Sequence, residues 1–144
     1  MGGAGVRVPV VRSYRFITPN TADAPKLARD HVVWLLEHAG CPVDTDTARL
    51  LVSEVVSNAH RHTTSTLVSL TTTIRPGRVH IEVYDTAPCP LPDPPEGPDL
   101  ALCAEGGRGL WMLQQFAALW GYALHGGARP FGKTVWFDLL GGAR

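Results

Sequence analysis

Apolar residues along the chain follow two periods. At helical spacing, Ala24, Ala28, Val32, Leu35, Leu36 and Ala39 share one stripe, and Ala48, Leu51, Val52, Val55, Val56 and Ala59 share a second. Alternating or β-branched runs occupy Ser13–Thr18, Thr66–Ile74, Arg78–Asp85, Trp120–His125 and Lys133–Leu140, which predicts five strands. Pro76-Gly77 between the second and third runs marks a hairpin turn. A third apolar helix is expected over Leu110–Leu119.

Punctuation residues bound these elements. Asn20, Thr21 and Asp23 are candidate caps for a first helix from about residue 22 to 39, with Pro25 in its first turn and Gly40 and Pro42 closing it. Asp44-Thr-Asp46 opens the second helix, and His60, Arg61 and His62 end it with the charges a helix C-terminus favours. Leu27, Val33 and Trp34 lie off the first stripe. They are read as the flank of a wide core-facing helix, with a partner surface as the alternative. The order strand, helix, helix, two strands, helix, two strands predicts an α+β two-layer sandwich, one mixed or antiparallel sheet with helices on one face.

Residues 86–106 carry six of the chain's 12 prolines, and no regular element is expected there. A stretch of that length within a compact domain is either disordered or a lid over a ligand. The expected organisation is a flexible lead-in at 1–13, one domain over 14–140 and a tail at 141–144.

Composition narrows the function classes. With 144 residues, 44% hydrophobic and 18% charged, the chain is sized for one domain with a real core. Thirteen basic side chains balance thirteen acidic ones, which argues against a direct nucleic-acid partner. Three cysteines without Cys-x-x-Cys spacing signal neither a disulfide framework nor a zinc site. No apolar run reaches the roughly 18 residues of a membrane span, so a cytoplasmic protein without membrane attachment is expected.

The candidate chemistry sits on the second helix. Glu54, Asn58 and His62 follow one another at four-residue steps along one border of the apolar stripe. A carboxylate and a carboxamide half-buried one turn apart cost stability unless a polar group, such as a metal ion or a phosphate, faces them. The helix-end charges account for His62 as well as a function does, and for His60 and Arg61 better. Gly127 to Thr134 spells Gly-x4-Gly-Lys-Thr, the letters of a P-loop. A P-loop must lead from a strand into a helix, whereas Val135-Trp-Phe-Asp-Leu reads as strand, so a hairpin loop is expected.

Taken together, Glu54-x3-Asn58-Ala59-x2-His62, Asp85, Gly107-x-Gly109-Leu110 after a Pro-rich stretch, and Gly132-x-Thr134 resemble the ATP-binding pattern of the gyrase, histidine kinase and MutL (GHKL, Bergerat-fold) superfamily. The arrangement over residues 14–140 looks most like its compact anti-sigma-factor serine/threonine kinase branch. That resemblance implies ATP and Mg²⁺ as cofactors. It implies Asn58 in the Mg²⁺ shell, and Asp85 accepting a hydrogen bond from the adenine amino group. Gly107, Arg108, Gly109 and Leu110 would form the helix start that receives the phosphates, and Thr134 would offer its hydroxyl or backbone amide to the nucleotide. Glu54 would be the general base of a serine protein kinase. The implied partners are an anti-anti-sigma factor as phosphoryl acceptor, a sigma factor as sequestered ligand, and a second copy in a homodimer. The alternative is a non-catalytic, ATP-dependent protein-binding regulator. One departure stands out: the family's Asp-x-Gly is Asp85-Thr86-Ala87 here.

Overall fold

A computed structural model of the chain describes residues 10–62, 65–86, 108–129 and 131–141. The expected lid, apart from Thr86, lies outside these residues, as do Gly107, residues 1–9 of the lead-in and residues 142–144 of the tail. Along the chain run β1 (Arg12–Pro19), α1 (Ala24–His38), α2 (Thr45–His62), β2 (Leu67–Arg75), β3 (Arg78–Asp85), α3 (Arg108–Phe116), β4 (Leu119–His125) and β5 (Gly132–Leu140). The strands form one sheet in the order β1-β2-β3-β5-β4, and every neighbouring pair is antiparallel.

Strand parity fixes which face the helices cover. In the central pair, Val79, Ile81 and Val83 of β3 stand opposite Leu139, Phe137 and Val135 of β5, and all six are buried in the core with α1, α2 and α3. The intervening positions, His80, Glu82 and Tyr84 against Asp138, Trp136 and Thr134, therefore belong to the other face. A slip of one residue would exchange the two sets, so the apolar alternation specifies the register. The turn between β2 and β3 is made by Pro76 and Gly77, the latter at φ 69°.

The α2 stripe is buried throughout: Ala48, Leu51, Val52, Val55, Val56 and Ala59 are each 4% exposed or less. Its start is held by Asp44, whose carboxylate accepts the Asp46 amide at 3.0 Å and the Thr47 hydroxyl at 2.9 Å. The Thr47 and backbone hydrogen bonds hold the Asp44 carboxyl below the usual range, against a small opposing effect of burial.

Three boundaries and burials differ from expectation. The third helix ends at Phe116 rather than Leu119, because the Ala118 amide donates to the Asp138 carbonyl at 2.9 Å and draws the chain into β4. β1 begins at Arg12, inside the stretch expected to be flexible. In α1 the wide-helix reading holds for Val33, which is buried, but Leu27 and Trp34 are 44% and 57% exposed.

Candidate functional site

A narrow cleft lies between the helical layer and the sheet. Val55, Asn58 and Ala59 of α2 form one wall, Leu110 and Leu113 of α3 another, and Val83, Asp85, Lys133 and Val135 of β3 and β5 the floor. Its lining is apolar apart from three side chains, Asn58, Asp85 and Lys133, a pattern in which a flat apolar body is gripped by a few oriented polar groups.

Asn58 reaches the cleft because the α2 stripe turns its border toward the sheet. Its Oδ1 is buried and has no hydrogen-bond partner among the described residues. An unpaired buried carbonyl oxygen costs roughly 1–3 kcal/mol and is rare in folded proteins. A neutral oxygen of this kind suits Mg²⁺, which keeps several waters and takes further oxygens from phosphates. Among the described residues no group of three or more His, Cys, Asp and Glu side chains could hold a metal ion. An ion beside Asn58 would therefore depend on oxygens brought by a ligand and by water.

Asp85 ends β3 with its side chain 2% exposed, directly across the ladder from Lys133. The Lys133 ammonium lies 3.8 Å from the Asp85 carboxylate, a buried ion pair longer than a hydrogen bond. The chain beyond Asp85 is anchored by Ser65, whose Oγ accepts the Thr86 amide at 3.1 Å and donates to the Leu67 carbonyl at 2.6 Å. Ser65 thus anchors the chain just beyond Asp85.

Glu54 is more deeply buried than expected, at 9% exposure, one turn before Asn58, and it is not part of the cleft wall. His60 is absorbed by the fold, its Nδ1 3.0 Å from Asn20 Oδ1, while the Asn20 amide donates to the Ser65 carbonyl at 2.7 Å. Leu110 is buried at the cleft, and Arg108 and Gly109 occupy the first turn of α3, where free backbone amides and the helix dipole favour an anion. Gly107 and the side chain of Arg108 lie outside the described residues, as does the side chain of His62.

Thr134 does not come to the cleft. It stands on the opposite sheet face beside Tyr84, and its hydroxyl is 2.8 Å from His125 Nε2. Strand alternation gives the inward position to Lys133 and places the Thr134 hydroxyl outside this cleft. Gly132 serves that outer face as well: a Cβ there would come within 2.5 Å of the Tyr84 hydroxyl. The P-loop letters are a hairpin, as expected, with Gly126 and Gly127 at φ 109° and 59° and β5 following.

Comparison with protein families meets this geometry. Residues 17–138 match the family described as the histidine kinase-like ATPase domain. The chain belongs to that family. In this histidine kinase-like ATPase domain the α+β sandwich, with its antiparallel sheet and, among the described residues, three helices, is the family's fold. Among curated proteins none matches the chain. No helix of the described residues is long and apolar enough to cross a membrane.

Proposed function

We propose that this histidine kinase-like ATPase domain binds Mg²⁺-ATP in the cleft between α2, α3 and the β3–β5 floor, and transfers its γ-phosphoryl group to a serine or threonine of a partner protein. The observation that carries the reading is the buried Asn58 Oδ1, without a hydrogen-bond partner among the described residues, on a wall facing Asp85 and the start of α3. Apolar walls from Val55, Ala59, Val83 and Leu113 fit a purine, Asp85 fits its amino group, and the first amides of α3 fit the phosphates. Mg²⁺, when bound with the nucleotide, supplies charge neutralisation at the transferring phosphoryl group.

In the transfer, Glu54 accepts the proton of the partner hydroxyl as that oxygen bonds to the γ-phosphorus and the bond to the β–γ bridging oxygen breaks, leaving ADP. The acceptor protein in this proposal is an anti-anti-sigma factor, the sequestered ligand is a sigma factor, and a second copy of the chain completes a homodimer. These three follow from the resemblance of the site motifs to the anti-sigma kinase branch.

One observation favours a second reading, nucleotide-dependent partner binding without transfer: Glu54 is buried and stands off the cleft wall. Incubation with γ-labelled ATP, Mg²⁺ and candidate acceptors separates the two. The expected results are loss of Mg²⁺-ATP binding in Asn58→Ala, and retained binding without transfer in Glu54→Gln. Nucleotide binding untouched by Asn58→Ala would overturn the site. Wild-type binding with no labelled acceptor would favour the second reading.

A further inference from the structure

We infer that Lys133 sets the nucleotide affinity of the cleft by competing with the base. Its ammonium holds the Asp85 carboxylate that the adenine amino group needs, so the base seats only as the ammonium withdraws. The inference rests on the nucleotide reading of the cleft and names the residue that limits how tightly that site binds.

The competition is built by the sheet. Two rungs of the β3–β5 ladder form the floor, Val83 opposite Val135 and Asp85 opposite Lys133. The first rung is apolar and suits the flat face of a base. The second is an ion pair whose side chains are 2% and 5% exposed, with the charged ends 3.8 Å apart. Lys133 lines the same narrow cleft as Val55, Asn58 and Leu113. Its aliphatic stem therefore takes room between the walls that a base would use, and its charged end stands at the acceptor.

A carboxylate only accepts hydrogen bonds, while an ammonium and an exocyclic amino group only donate them. The two donors thus seek one acceptor. The ammonium carries a full charge, and between apolar walls it holds a carboxylate more strongly than a neutral amino group does. A base that displaces it exchanges a charged partner for a neutral one, and burial of its ring against Val83 and Val135 offsets that loss only in part. Withdrawal is open to the lysine. At 3.8 Å the contact is longer than a hydrogen bond, and the stem is flexible. Asp85 is the last residue of β3 and Lys133 the second of β5, so the pair lies at the end of the sheet. A long side chain at such an edge can keep its stem on apolar surface while its charged head turns to water.

Equilibrium binding of Mg²⁺-ATP, adenosine and Mg²⁺-tripolyphosphate to the full chain tests this, because tripolyphosphate has no base to compete. Lys133→Ser removes the stem and the ammonium and leaves a hydroxyl. It is expected to bind ATP and adenosine tighter than wild type by roughly ten- to hundredfold, the scale of one hydrogen bond to a charged group, with tripolyphosphate unchanged. Lys133→Arg grips a carboxylate through two parallel hydrogen bonds and is expected to weaken ATP and adenosine, again with tripolyphosphate unchanged. Circular dichroism checks the fold of each variant. Lys133→Ser leaves Asp85 without this cation, whereas Lys133→Arg keeps the charge paired, so the arginine variant decides should the serine variant not fold. Folded Lys133→Ser that binds ATP no tighter than wild type, or Lys133→Arg that binds it as well as wild type, overturns the inference and leaves the nucleotide site standing. Weaker tripolyphosphate binding in Lys133→Ser would put the ammonium on the phosphates and overturn it likewise. Wild type and both variants all failing to bind ATP would overturn the nucleotide reading, and the inference with it.

Discussion

His31 lies with its ring stacked on Phe16, centroids 4.6 Å apart, and its Nε2 is buried without a partner among the described residues. Desolvation lowers its pKa from the ordinary value, since nothing there receives the charged form. On acidification the unfolded chain therefore takes up this proton first, and stability falls as pH drops below about 6.5. Asp138, on the outer sheet face, acts at lower pH. Burial alone would raise its carboxyl, but hydrogen bonds from Arg78 and His80 outweigh that and hold it below the usual range. Its contribution is present above the unfolded carboxylate value near 3.9 and is lost as pH falls through the lower folded one. Urea unfolding should show wild type losing stability between pH 7 and 5, and His31→Leu losing less. Asp138→Asn should cost about 1.5–3 kcal/mol at pH 7, a cost that shrinks below pH 3. A pH-independent cost would show that the Asp138 carboxylate charge is not what matters. Single residues were legible in sequence unevenly. Asn58 stood out because a carboxamide bordering an apolar stripe is a local anomaly. Lys133 was hidden in P-loop letters, although Val135, Phe137 and Leu139 are all buried and parity alone assigns Lys133 to the same inner face.

At the scale of elements, α2 carries both the core and the site. Leu51, fully buried at its centre, is expected to cost about 2–5 kcal/mol on truncation to Ala. Trp34 of α1 is the larger side chain, but it is exposed and stacks on His38 at 4.2 Å. Trp34→Ala should therefore change stability by no more than about 0.5 kcal/mol. Comparing the two by chemical denaturation checks the division of α1 into buried and exposed flanks. A Trp34→Ala loss approaching that of Leu51→Ala would mean that a second chain covers this flank in solution. The contrast also accounts for which elements were legible. α2 is specified locally, by Asp44 at its start, basic residues at its end and one stripe between, so its limits follow from the sequence. The end of α3 is specified by a partner twenty residues on, the Asp138 carbonyl that takes the Ala118 amide. Helical spacing from Leu110 to Leu119 carries no trace of that bond, and the sheet overrode it.

The molecule as a whole is closed by the cleft. α2 and β3 come from the first two-thirds of the chain, α3 and β5 from the last third, and Asn58, Asp85, Leu110 and Lys133 converge from all four. Sequence order could show that these motifs recur in sequence, but not that the β3–β5 pairing crosses the intervening α3 and β4 to bring Lys133 onto Asp85. A ligand bound there clamps both parts, so its binding free energy becomes stability of the whole fold. At a hundredfold excess over its dissociation constant, Mg²⁺-ATP should add about 2.7 kcal/mol, on the order of 10 °C in Tm for a chain of this size. Thermal unfolding with and without nucleotide measures the shift, and Asn58→Ala should lose it. Amide hydrogen exchange should show added protection in α2 and β3 together with α3 and β5, because all four wall the same cleft. Protection confined to α2 and β3, with α3 and β5 exchanging as before, would mean that the ligand engages one side of the cleft only and would remove Lys133 and the start of α3 from the binding site.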